Sequence, residues 1–125
     1  MAELTSRYNS FMATGNPFES QFVYLTTVGR RTSLPREIEI WFVEREGRIY
    51  ILAEHGYKAQ WVVNFLANPA VTVRLGKEQW AATGRVLDPD KDEVLYAEVR
   101  ELARKKYGWG EGIPVEFRLE SRLVD

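Results

Sequence analysis

Hydrophobic and polar residues alternate along this chain in short stretches, and the period of the alternation changes from two to 3.6 and back. Phe22-Val23-Tyr24-Leu25-Thr26-Thr27-Val28 and Glu37-Ile38-Glu39-Ile40-Trp41-Phe42-Val43 are rich in β-branched and aromatic residues. Such residues suit a pleated, half-buried surface, so two strands are predicted on either side of a polar loop. Arg45-Glu46-Gly47 predicts a tight connection into Arg48–Ala53, whose nearly continuous apolar run fits a central strand. Three antiparallel strands in succession are expected. From Lys58 to Ala67 the apolar residues Trp61, Val62, Phe65 and Leu66 recur at helical spacing, and Asn68-Pro69 ends that short helix.

Val71–Leu75 then alternates strictly, Gly76-Lys77 makes a turn, and Gln79–Val86 returns as a strand with Gly84 at a bulge. Asp88-Pro89-Asp90 signals the start of the longest helix. Its apolar face runs through Val94, Leu95, Val99, Leu102, Ala103 and Tyr107 to the glycine-rich stretch Gly108–Gly112. Val115, Phe117, Leu119, Ser121 and Leu123 predict a last strand with one buried face. At the other end, Leu4, Tyr8, Phe11 and Met12 allow a short helix over 3–14, broken by Gly15-Asn16-Pro17. Segment 1–16 either packs over a pocket or frays.

Six strands with two internal helices cannot make a doubly wound parallel sheet, because each parallel crossover needs its own helix. The expected class is mainly β (α+β): a small antiparallel barrel or sandwich with helices at its ends, which also removes exposed edges. The 125 residues fit one domain spanning 1–125, and deep clefts in a chain of this size call for a second copy, which favours a homodimer.

Composition narrows the chemistry. A net charge of −1 gives no general attraction to nucleic acid, and the absence of cysteine excludes disulfides, thiolate nucleophiles and cysteine metal sites. No apolar run reaches the length of a membrane span and no N-terminal signal pattern stands out, so a cytoplasmic protein is expected. The single histidine, His55, confines any Ser-His-acid triad to its own loop, where an ordinary turn role is the simpler reading. It is also too isolated for a zinc or iron site. Glu37/Glu39 and Glu44/Glu46 sit at strand spacing near a hairpin, where a solvated edge is the simpler reading than a glycosidase pair.

Two features remain. The loop Gly29-Arg30-Arg31-Thr32-Ser33-Leu34-Pro35-Arg36 carries three guanidiniums in a turn, which suits either a phosphate or carboxylate clamp or a solvated hairpin tip. Trp61 and Asn64, at i and i+3, place an indole and an amide on one helix face. Trp61 is core or a cofactor surface. Asn64 needs a partner, either a cofactor carbonyl or a backbone group of the next loop. A clamp beside an aromatic surface describes a site for an organic cofactor that brings its own reactivity, so no catalytic residue and no metal are required of the chain.

Leu25–Thr32 with Pro35-Arg36, and Trp61-Val62-Val63-Asn64-Phe65-Leu66-Ala67-Asn68-Pro69, together resemble the two signatures of the deazaflavin-dependent nitroreductase and quinone reductase family, in the same order, over roughly residues 22–76. The resemblance implies a split β-barrel, usually dimeric and related to FMN-binding barrels. It implies a reduced 8-hydroxy-5-deazaflavin coenzyme of the F-420 type that passes a hydride to a quinone, nitro compound or other electrophilic acceptor. It further implies that Arg30, Arg31 and Arg36, with Thr32 and Ser33 in the same turn, hold the phosphate and acidic tail. His55 and Gly56 would lie near the ring or linker, and Trp61 and Asn64 would line the channel. Ser33 stands where the family signature usually has glycine, and His55 about where a lysine is expected. Tyr107 and Trp109 are candidates for the acceptor pocket. An FMN-dependent enzyme on the same barrel, or a non-catalytic carrier of deazaflavin or another amphipathic ligand, are the alternatives.

Overall fold

Along Phe22–Val28 burial alternates, with Val23, Leu25 and Thr27 turned into the core, which makes this first strand, β1, one-sided as its sequence predicts. A computed structural model describes residues 16–123 of the protein; the helix expected over 3–14 lies outside them. After β1 come β2 (Pro35–Trp41), β3 (Val43–Arg45), β4 (Arg48–Ala53), helix α1 (Gln60–Ala67), β5 (Ala70–Leu75), β6 (Glu78–Val86), helix α2 (Glu93–Tyr107) and β7 (Ile113–Leu123). The strands form one antiparallel sheet in the order β2-β1-β5-β6-β7-β4-β3. Among the described residues no helix is long and apolar enough to cross a membrane.

Seven strands are present where six are expected, because the stretch Glu37–Val43 divides at Phe42. Strict alternation stops there: Trp41 is exposed while Phe42 and Val43 are both buried. The chain bends, and β2 and β3 end on opposite edges of the sheet although one residue separates them. The sheet must therefore roll until its edges approach, giving the split barrel. The expected three-stranded meander does not form, since β4 pairs with β3 and β7 rather than with β2.

Phe42 belongs to neither ladder, so its backbone groups need other partners. The last turn of α2 supplies them. The Phe42 N–H donates to the Tyr107 hydroxyl at 3.1 Å, and Lys106 Nζ donates to Phe42 O at 3.0 Å and Ser20 O at 2.8 Å. The Tyr107 hydroxyl proton lies between Gln21 O at 2.6 Å and Phe42 O at 2.8 Å. The Tyr107 ring stacks on Trp41 with centroids 4.4 Å apart. These contacts place Tyr107 at the seam of the barrel.

Two cores flank β4, which explains its apolar run. Ile49, Ile51 and Ala53 face the barrel interior with Val62 and Phe65 of α1, whereas Tyr50 packs under α2 with Val99 and Ala103. Gly84 is not the bulge. The irregularity between β6 and β7 falls at Ala81/Ala82, and a Cβ at Gly84 would meet the Phe117 ring at 2.7 Å. α2 also starts later than Asp88-Pro89-Asp90 suggests, because Asp88 Oδ1 accepts the amides of Asp90 and Lys91 at 2.8 and 2.9 Å and closes a turn first.

The expected single buried face of β7 holds only in part, since Pro114 to Phe117 are all buried and the set includes Glu116. Its carboxylate accepts from the Tyr50 hydroxyl at 2.8 Å and Arg85 Nε at 3.0 Å, with Arg48 NH1 at 3.3 Å. Burial alone would raise the Glu116 pKa, but the Tyr50 hydroxyl and the two guanidiniums outweigh it and hold the group below the usual carboxylate range. Burial and the same carboxylate push the Tyr50 hydroxyl up to about 12. The Arg85 side chain holds Asp92 low, and the amides of Lys91 and Asp90 do the same for Asp88. Each of these carboxyls binds its proton less tightly folded than unfolded. Their stabilisation is complete above the unfolded value near ~4 and is lost as pH falls through the lower folded values. Urea unfolding should show stability falling with pH in that acid range. Glu116→Gln should cost about 1–2 kcal/mol at neutral pH and flatten the acid dependence.

Candidate functional site

The β1–β2 connection is built to hold its shape. Gly29 N–H donates to Leu34 O and Ser33 N–H to Gly29 O, both at 2.8 Å, and Thr32 Oγ1 accepts the Leu34 amide at 3.2 Å. A Cβ at Gly29 would lie 2.6 Å from Thr32 Oγ1, so any other residue there would displace the hydroxyl that accepts the Leu34 amide. Ser33 sits at φ +61°, in the left-handed region that favours glycine. The serine therefore adopts the conformation a glycine would, and the turn is strained rather than reshaped.

Opposite the turn lies α1. Asn64, 6% exposed, accepts at Oδ1 from the Arg30 amide at 3.2 Å and from Arg30 NH1 at 2.9 Å. Gln60 Oε1 accepts from the same NH1 at 2.9 Å. The partner that Asn64 requires is thus Arg30, in the preceding hairpin rather than the following loop. Trp61 is partly core. Its ring packs against Phe65 and Phe117, with centroids 6.3 Å away in each case, while the residue also lines the cavity between hairpin and helix.

That cavity measures about 650 Å³. It brings together Arg30, Arg31, Thr32, Arg36, Trp61 and Asn64 from the sequence prediction. Ser33, His55 and Gly56 are not in its lining: Ser33 shapes the turn, and His55 with Gly56 forms the 3-10 turn ahead of α1. Among the described residues, neither the Arg31 nor the Arg36 side chain makes a hydrogen bond or ion pair, and both residues are exposed. Sequence reasoning missed Thr27, Glu37 and Gln60 in the lining. Gln60 carries a readable signal, one helical turn before Asn64 and so on the same face. Thr27 is a hydroxyl in the inward series Val23, Leu25, Thr27, and its buried Oγ1 has no hydrogen-bond partner among the described residues.

Tyr107 and Trp109 do not reach this site within the chain. Trp41, which both rings contact, pairs with Phe22 at the opposite end of the β1–β2 ladder from Val28 and Pro35. A seven-residue strand separates the two ends by ~20 Å.

A family model for F420H(2)-dependent quinone reductase matches residues 1–117. Among solved structures, an F420-H2 dependent reductase is 26% identical, over 80% of this chain and 94% of its own, with a TM-score of 0.62. A protein described as a domain-swapped dimer is also 26% identical, over 80% of each chain, with a TM-score of 0.61. The heme storage protein HutZ from Vibrio cholerae, at 17% identity, shares the fold over 86% of this chain and 88% of its own, with a TM-score of 0.68.

Replacing Ser33 by glycine relieves the left-handed strain at the cost of a more flexible unfolded chain. The substitution should raise stability by about 0.5–1 kcal/mol in urea unfolding.

Proposed function

The chain belongs to the F420H(2)-dependent quinone reductase family and is a deazaflavin-dependent oxidoreductase; from that premise we propose that the cavity between the β1–β2 hairpin and α1 is its coenzyme site. One observation carries this reading: two guanidiniums without partners among the described residues, Arg31 and Arg36, share a single cavity with the Trp61 indole. Arg31 and Arg36 hold the phosphate and acidic tail, for which a planar fork of donors is well suited. Trp61 offers the ring an apolar wall, kept in place from behind by Phe65 and Phe117.

When bound, the reduced deazaflavin supplies the hydride, so the residues of the chain bind, orient and exclude water rather than form a covalent intermediate. The acceptor class is a quinone, nitro compound or similar electrophile. Family membership favours deazaflavin over FMN as the coenzyme. A homodimer is part of the same reading, supported by the domain-swapped dimer among the related structures. So is a cytoplasmic location, consistent with a cysteine-free composition.

The double substitution Arg31→Ala/Arg36→Ala should weaken binding of oxidised deazaflavin by about 2–4 kcal/mol, read by tryptophan fluorescence, with the circular dichroism spectrum unchanged. Equal affinity of variant and wild type would return both arginines to the role of a solvated tip.

A further inference from the structure

The bonds that close the hairpin turn, Gly29 to Leu34 and Ser33 to Gly29, are internal to it and do not fix where its tip points. The hydrogen bonds that cross to α1 all converge on Arg30. Asn64 Oδ1 receives both the Arg30 amide and NH1, and Gln60 Oε1 receives NH1 as well. NH1 carries two protons, and both are committed to α1. An arginine held in this way is poorly free to follow an anion, whereas the side chains of Arg31 in the turn and Arg36 at the start of β2 are unengaged among the described residues. Asn64 is also buried on the apolar side of α1, where an unpartnered carboxamide would be costly, so the bond to Arg30 is difficult to exchange for water.

We propose that Asn64 is a positioning residue: by holding both the backbone and the guanidinium of Arg30, its side-chain carbonyl fixes the hairpin tip on α1 so that Arg31 and Arg36 face the anionic end of the coenzyme. The inference rests on the reading of the cavity as the coenzyme site and deepens it. It divides the three arginines into one that anchors the loop and two that meet the ligand. Gln60 has a supporting part, since it holds only the side chain of Arg30 and leaves the backbone contact to Asn64.

Two measurements test it. The first is amide hydrogen exchange, followed by NMR in the protein without ligand. The Arg30 amide should be protected in the wild type and in Asn64→Asp, which keeps an acceptor oxygen, and should exchange about tenfold faster in Asn64→Leu. The Gly29 and Ser33 amides, bonded inside the turn, should be unchanged in all three. The second is a cycle of Asn64→Leu and Arg30→Met, read as affinity for oxidised deazaflavin. Asn64→Leu should weaken binding about tenfold in the wild-type background and have no further effect once Arg30 is methionine. Effects that multiply independently would mean that Asn64 meets the coenzyme directly and would overturn the latch, as would an Arg30 amide indifferent to Asn64→Leu. Wild-type protein that binds no deazaflavin would overturn the coenzyme reading instead, with the amide exchange still deciding whether the latch exists.

Discussion

Phe42 joins the two edge strands of the sheet, and a one-residue link between opposite edges leaves the sheet no flat arrangement. The barrel closes at that point, and α2 secures it by giving Phe42 the backbone partners that neither ladder provides, through Tyr107 and Lys106. The consequence reaches the far end of the same strands. With β2 committed to β1 on one side only, the β1–β2 connection is free of further strand pairing and projects toward α1. α1 is in turn seated by Val62 and Phe65 in the barrel core. Closure at one end and an arginine-rich loop facing α1 at the other are thus two results of one topology.

Much of this was legible in the residues because the periodicities are clean. β1, β5 and both helices follow patterns of period two or 3.6 that burial enforces, and the continuous apolar run of β4 marks a strand covered on both faces. What could not be read was the break at Phe42. A run of seven residues with high strand propensity continues through it, and only the competition between pairing with β1 and pairing with β4 divides it. Glu116 was hidden for a similar reason: an alternating pattern assigns it to solvent, and it is buried because α2 covers the outer face of β7 and Tyr50, Arg48 and Arg85 meet its charge. Long-range packing decides both cases, and neither leaves a local mark.

The site was readable in its parts more than in their connections. The arginine-rich turn, Trp61 and Asn64 stand out by residue type, and the cavity gathers them. The bond between Arg30 and Asn64 spans 34 positions in sequence, so nothing local announces it, although it changes what each residue does. Arg30 is tied to α1, while the Arg31 and Arg36 guanidiniums are without partners among the described residues. Ser33 illustrates the opposite case. Its departure from glycine is visible in the sequence, yet the backbone takes the glycine conformation and absorbs the difference as strain.

The four tryptophans provide the most direct test of where the coenzyme binds, because their indole N–H signals report separately on the two ends of the barrel. In an NMR titration with oxidised deazaflavin, the Trp61 signal should shift saturably while those of Trp41, at the far end of the β1–β2 ladder from the hairpin turn, and of Trp109 beside it stay in place. Saturable shifts at Trp41 and Trp109 with Trp61 unmoved would contradict the account and locate the coenzyme at the seam instead.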